Sequence, residues 1–238
     1  MWGGDSERSP EGNGKGIGVN HLPQRFAFFA LGVVINSFGV ALITKGALGT
    51  SAISSVPYVA SLQWPFLSFG VTTFIWNILF ILIQLALLRR EFKPSQFLQV
   101  LVNLLFSAMI DVSMVILGFL NPTALWEQCV CVMLGCVVLA FGIVIELAPN
   151  VVVVPGEGVV RAIAQVTNIR VGTVKAVFDI TLIVIAGVMF LICFHELRGV
   201  GVGTVISALL VGPIINVINR VFTFQRRIRA LALSRDGR

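Results

Sequence analysis

Residues Leu125–Ile145 read LWEQCVCVMLGCVVLAFGIVI, 21 residues with a single charge, Glu127, near one end. A helix of about 20 apolar residues crosses the hydrocarbon core of a bilayer. It also satisfies its own backbone groups there, which lipid cannot do. This stretch therefore reads as a membrane span. Five further runs read the same way: Phe26–Thr44, Phe69–Leu88, Phe97–Leu120, Val171–Phe194 and Val200–Phe222. The fold class expected is an all-α membrane protein of six transmembrane helices.

The composition agrees. Of 238 residues, 57% are hydrophobic and 12% are charged. Soluble domains carry about 25% charged residues. The net charge of +6 falls at the ends of apolar runs and in the stretch Arg220–Arg238, not in a nucleic-acid-binding patch. No nucleic-acid partner is expected; the partner implied is the lipid bilayer. A homo-oligomer is left open. Cys129, Cys131, Cys136 and Cys193 all lie within apolar runs, without metal-ligand spacing and without a nearby histidine. They read as packing residues. No metal and no cofactor is implied, and the chain lacks the common catalytic motifs, so it is not expected to be an enzyme.

Three regions follow: a polar, disordered tail over residues 1–24, a membrane domain over 25–222, and a basic tail over 223–238. Arg89, Arg90 and Lys93, and the arginines of the last region, mark cytoplasmic segments by the positive-inside rule. Both termini are then cytoplasmic, and the uncharged link Asn121–Ala124 is outside. The basic tail reads as a topology anchor, or as a contact for anionic lipid or a cytoplasmic partner.

Two shorter segments, 48–62 and 153–166, are too short and polar to span. They read either as re-entrant half-helices or as surface helices. They also reveal an internal order. Leu31-Gly32 and Phe38-Gly39 recur as Leu134-Gly135 and Phe141-Gly142, about 103 positions later. Gly70 and Trp76-Asn77 correspond to Gly172 and Phe178-Asp179, and Ile110-Asp111-Val112 to Ile215-Asn216-Val217. Two halves, about 25–120 and 125–222, each hold three spans. An odd number of spans per half implies an inverted-topology repeat, the architecture of many transporters; chance likeness between apolar helices is the alternative.

Polar groups inside spans need partners or a wet cavity. Asn103, Ser107 and Asp111 share one face of the third span, and Lys175 and Asp179 share one face of the fifth. Asp111, Asp179, Asn77 and Asn216 occupy crossed positions in the repeat and are candidates for a midplane site that handles a proton or cation. The competing reading is structural: interhelical hydrogen bonds and Lys175–Asp179 pairing. At the short segments, Thr50 and Ser51, and Gly156, Glu157 and Gly158, would offer hydroxyls and helix N-terminal N–H groups to a solute. There, ordinary N-capping and a Glu157–Arg161 pair are the alternative.

The strings PGEGVVRAIAQ (155–165), VGTVKAVFDITL (171–182), VGVGTVISALLVGPIINVINR (200–220) and TKGALGTSAISSVPYVAS (44–61) give the chain a family likeness. It resembles the bacterial YczE/YyaS/YitT-like multi-pass membrane proteins, whose function is largely unknown. The resemblance implies a multi-pass protein of the bacterial cell (inner) membrane and no agreed substrate or site. From the residues themselves, the function expected is a secondary transporter or exporter of a small polar or anionic solute, with proton coupling as an option. A passive channel and a non-transporting regulatory or assembly protein are the alternatives.

Overall fold

The structure is a computed structural model and describes residues 22–89, 94–149, 152–195 and 201–221. The basic tail, the link 90–93 and the glycine run before 201 lie outside the described residues, as does the N-terminal tail up to residue 21. The last residues of that expected tail are helical, because the first helix begins at Leu22.

Among the described residues there are helices and no strand. In chain order they are α1 (Leu22–Lys45), α2 (Ser55–Gln63), α3 (Phe69–Leu88), α4 (Leu98–Ile116), α5 (Leu125–Leu147), α6 (Pro155–Thr167), α7 (Val171–Phe194) and α8 (Val202–Val221). Six of them, α1, α3, α4, α5, α7 and α8, are long and apolar enough to cross a membrane. Their outward faces carry large apolar side chains such as Val115, Phe119, Ile192 and Leu209, at 68–80% exposure. Such a belt is stable only against lipid. The chain is a multi-pass membrane protein.

The centre of the bundle is the pair α1–α5, whose most apolar windows are each 56% buried, against 17% for α7 and 22% for α8. Small residues let two helix backbones approach closely in a membrane. Gly32 lies against the backbone of Glu146, Gly39 against Leu139, Gly142 against Asn36 and Gly135 against Ile43. Each step up α1 is matched by a step down α5, so the helices run antiparallel. A side chain at any of these glycines would collide with backbone. At Gly142, a Cβ would sit 2.5 Å from the Asn36 nitrogen.

The two short helices meet inside the bundle. Val56 and Val59 of α2 share a buried cluster with Val159, Val160 and Ala164 of α6, roofed by Phe80, Leu182 and Phe190. Ile53, just ahead of α2, rests on Gly156. Each short helix has a local cause. Pro155 opens α6 in the first turn, where its missing N–H is harmless. Asn168, left-handed at φ 56°, closes it. The turn before α2 needs Gly49 at φ 130°. That turn is fastened to α8: Gly203 N–H donates to the Leu48 carbonyl at 2.9 Å, and Thr50 N–H donates to Thr204 Oγ1 at 3.1 Å.

Candidate functional site

Between these elements lies an internal cavity of about 330 Å³. Small-molecule sites occupy about 300–1,000 Å³. Its wall is largely apolar and includes Val40, Phe106, Leu139, Ile143, Val211 and Ile215. Polar groups interrupt it at one region: Asn36, Asn77, Ser51, Ser54 and Ser207, with Glu146, Glu157, Lys175 and Asp179.

Lys175 sits between two carboxylates. Its Nζ is 3.1 Å from Asp179 Oδ1, one turn on along α7, and 3.3 Å from Glu157 Oε1 in the first turn of α6. Glu157 therefore pairs across helices with Lys175, and not with Arg161, which faces outward. Its place in the first turn also sets it against the positive end of the α6 dipole.

Glu146 is the most demanding residue of the site. It is 1% exposed and lies in the last turn of α5, where the helix dipole opposes a negative charge. Asn36 Nδ2 donates to Oε2 at 2.7 Å. The other oxygen, Oε1, has no hydrogen-bond partner among the described residues. A buried polar atom left so carries a desolvation penalty of about 1–3 kcal/mol, more when charged. None of Glu146, Asn36, Ser54 and Ser207, which line the cavity, was singled out from sequence. An acidic residue directly after an apolar run, at the C-terminal end of a span, was the available signal.

Of the residues singled out from sequence, Asn77, Asp179, Lys175, Ser51, Gly156 and Glu157 line the cavity together. The others serve elsewhere. Asp111 caps α3: Gly70 N–H donates to Oδ1 at 2.7 Å and Ser68 Oγ donates to Oδ2 at 2.5 Å. A carboxylate at a helix N-terminus is well placed, and both its oxygens are engaged away from the cavity. Asn216, expected to converge with it, is exposed on α8. Asn103 is fully buried and takes the Asn77 amide at 2.8 Å while donating to the Phe74 carbonyl at 3.0 Å, tying α3 to α4. Thr50 is held by the Thr44 hydroxyl at 2.7 Å, and its carbonyl accepts from Ser207 at 3.2 Å. Gly158 gives room to Gln84, which donates to the Pro155 carbonyl at 3.1 Å and pairs with Gln99. No group of three or more histidine, cysteine or acidic side chains suited to hold a metal occurs among the described residues.

A bundle of six helices long enough to span, with a cavity lined in part by charged groups, defines an integral membrane protein with a polar cavity. By sequence the chain belongs to the family of unknown function DUF6198, whose model matches residues 23–220. No curated protein and no solved structure matches it.

Proposed function

We propose that the protein is a secondary transporter, and not an enzyme, that binds a small polar solute in the cavity between its two halves. The observation that carries this reading is the cavity itself: charged groups lining a partly open cavity within a membrane protein. Intramembrane ionisable residues are costly and are retained where solutes or protons pass.

The arrangement of the halves supports it. A long helix, a short helix and two long helices follow one another twice along the chain. The α1–α5 glycine contacts are reciprocal: Gly32 on Glu146 mirrors Gly135 on Ile43, and Gly39 on Leu139 mirrors Gly142 on Asn36. This is what an inverted repeat would produce, and transporters of that design alternate by moving one repeat element against the other. The halves differ at one interface. In the first, α3 and α4 are laced by Gly70–Asp111, Asn77–Asn103 and Gln84–Gln99. In the second, α7 and α8 barely touch, Gly172 and Gly212 face open space, and Asn216 is exposed. One closed and one open copy of the same interface is the asymmetry that alternating access requires. The positive-inside pattern puts both termini in the cytoplasm, and kinship to the YczE/YyaS/YitT-like proteins would place the chain in a bacterial cell membrane.

The test is reconstitution of the purified chain into liposomes, with uptake of labelled solute and change of internal pH recorded across a panel of amines, carboxylates and neutral polar solutes. Saturable flux of at least one class supports transport. Flux linear in concentration would make the protein a channel, and silence across the panel would remove the transport reading.

A further inference from the structure

The charges around the cavity do not balance, and their imbalance specifies a ligand. Among the described residues Lys175 is the one basic side chain in the lining, and it is engaged by two carboxylates at 3.1 and 3.3 Å. It offers no vacant positive charge to an anion. The N-terminus of α6 is likewise matched by its own Glu157. Glu146 adds a third carboxyl to the lining, with Oε2 held by Asn36 and Oε1 buried without a partner among the described residues. From α1 the cavity receives the neutral Asn36, and from α8 it receives Ser207 and no charged group. Arg25, further along α1, donates to the Pro149 carbonyl at 2.7 and 3.1 Å and does not line the cavity. Among the described groups that line its cavity, an ionised Glu146 therefore has no protein cation that is not already engaged by other carboxylates.

A bare carboxylate buried in this way is neutralised by a proton or by a cation. We propose that the cavity binds a small organic ammonium ion whose N–H donates to Glu146 Oε1, and that a proton and this ion alternate on that oxygen. The apolar wall of Val40, Phe106, Leu139 and Ile143 takes the hydrocarbon part of the same ligand. One proton released for each monovalent cation bound leaves the charge of the site unchanged. A carrier with such a site exchanges amines for protons. The proposal deepens the transport reading, replacing the anionic solute expected from the helix N-termini, but its core claim concerns binding and is testable without flux.

The probes are benzylammonium, benzyl alcohol and benzoate, which share a ring and differ in charge. Binding to the full chain in lipid nanodiscs is followed by calorimetry and by thermal stabilisation. Benzylammonium should bind about 10- to 100-fold tighter than benzyl alcohol, the worth of a charge-assisted hydrogen bond, and benzoate weakest. Its affinity should fall about tenfold per pH unit on the acidic side, where the proton competes. Glu146→Gln keeps the shape and the Asn36 contact and should abolish both the preference and the pH dependence. Equal binding of amine and alcohol, tighter binding of benzoate, or benzylammonium affinity indifferent to pH in the unaltered chain would each overturn the cation site; the last needs no variant to fold. Liposome flux separates the two readings. Benzylammonium binding without flux would keep the site and remove transport, whereas flux of a carboxylate without amine binding would do the reverse.

Discussion

Replacing Gly142 with alanine is expected to damage the protein in a way that identical chemistry elsewhere does not. At Gly142 the new Cβ would lie 2.5 Å from the Asn36 nitrogen and 2.7 Å from its Cα. Ordinary contact begins near 3.4 Å, so backbone must retreat by close to an ångström. The Asn36–Glu146 hydrogen bond, 2.7 Å long, would stretch to the edge of hydrogen-bonding range. Overpacking of this kind costs about 1–3 kcal/mol, and weakening a bond to a carboxyl adds about 1–2 kcal/mol. Alanine returns about 1 kcal/mol of helix propensity. The net loss of about 1–4 kcal/mol corresponds to a fall in melting temperature of about 3–12 °C for a chain of this size. The control is Gly187→Ala in α7, where a Cβ meets nothing within 4 Å. There only the propensity gain remains, and the melting temperature should hold or rise by a few degrees, about 2–4 °C. Thermal unfolding of both variants in one detergent decides the matter. A Gly142→Ala protein as stable as Gly187→Ala would refute the close α1–α5 contact and, with it, the position of Asn36 against Glu146.

Asp111→Asn should lower stability by about 1–2 kcal/mol, because one amide oxygen replaces two carboxylate acceptors at the α3 N-terminus; ligand binding to the cavity should be unchanged by the same thermal-shift measurement. Lys175→Met should destabilise the site by leaving Glu157 and Asp179 to face one another. Because these side chains keep 16–30% exposure, the loss is discounted to about 1–2 kcal/mol. Adding Glu157→Gln should recover part of it in a double-mutant cycle, and strict additivity would speak against the shared ion pair. If the α7–α8 interface closes as α3–α4 does, cysteines at Gly172 and Gly212 in a background free of native cysteine should cross-link in liposomes under mild oxidant. Failure to cross-link at any oxidant level would count against exchange between the two arrangements.

The spans were legible in the sequence because lipid imposes one simple demand, some 20 apolar residues in a row, and each run from Phe26 to Phe222 meets it. The short helices were legible because Gly49 and Pro155 interrupt apolar sequence and leave too little length to cross. What each polar residue does was harder to read. Asp111 shares a helical face with Asn103 and Ser107, and all three point toward α3, so the stripe marks an interhelical seam and not a solute path. The rotation of α4 about its own axis decides between the two, and sequence periodicity gives a face but not what it meets. Glu146 was overlooked for a related reason. It falls one residue past the apolar run, where a carboxylate usually reaches water. Here α1 covers it, through a glycine contact at Gly32 that only the packed pair reveals.

The two halves follow the same order of long and short helices, and they divide the polar groups of the cavity unequally. Among the described residues, every ionisable group in the cavity wall comes from the second half: Glu146 on α5, Glu157 on α6, Lys175 and Asp179 on α7. The first half contributes Asn36, Ser51, Ser54 and Asn77, all neutral. Had both halves kept the charged set, the same small volume would hold twice the carboxylates. Repulsion between like charges in a medium of low polarity rises steeply as they approach. An amide at Asn77, where the second half has Asp179, relieves that repulsion and keeps a hydrogen-bonding group. It also frees the first half to spend its polar residues on the α3–α4 seam, since Asn77 reaches Asn103 at the same time as it faces the cavity. With the charged groups on one side, a charged ligand of the kind proposed would sit off-centre, against the α5–α6–α7 wall. There, any movement of α7 relative to α8 would alter the ligand's surroundings directly.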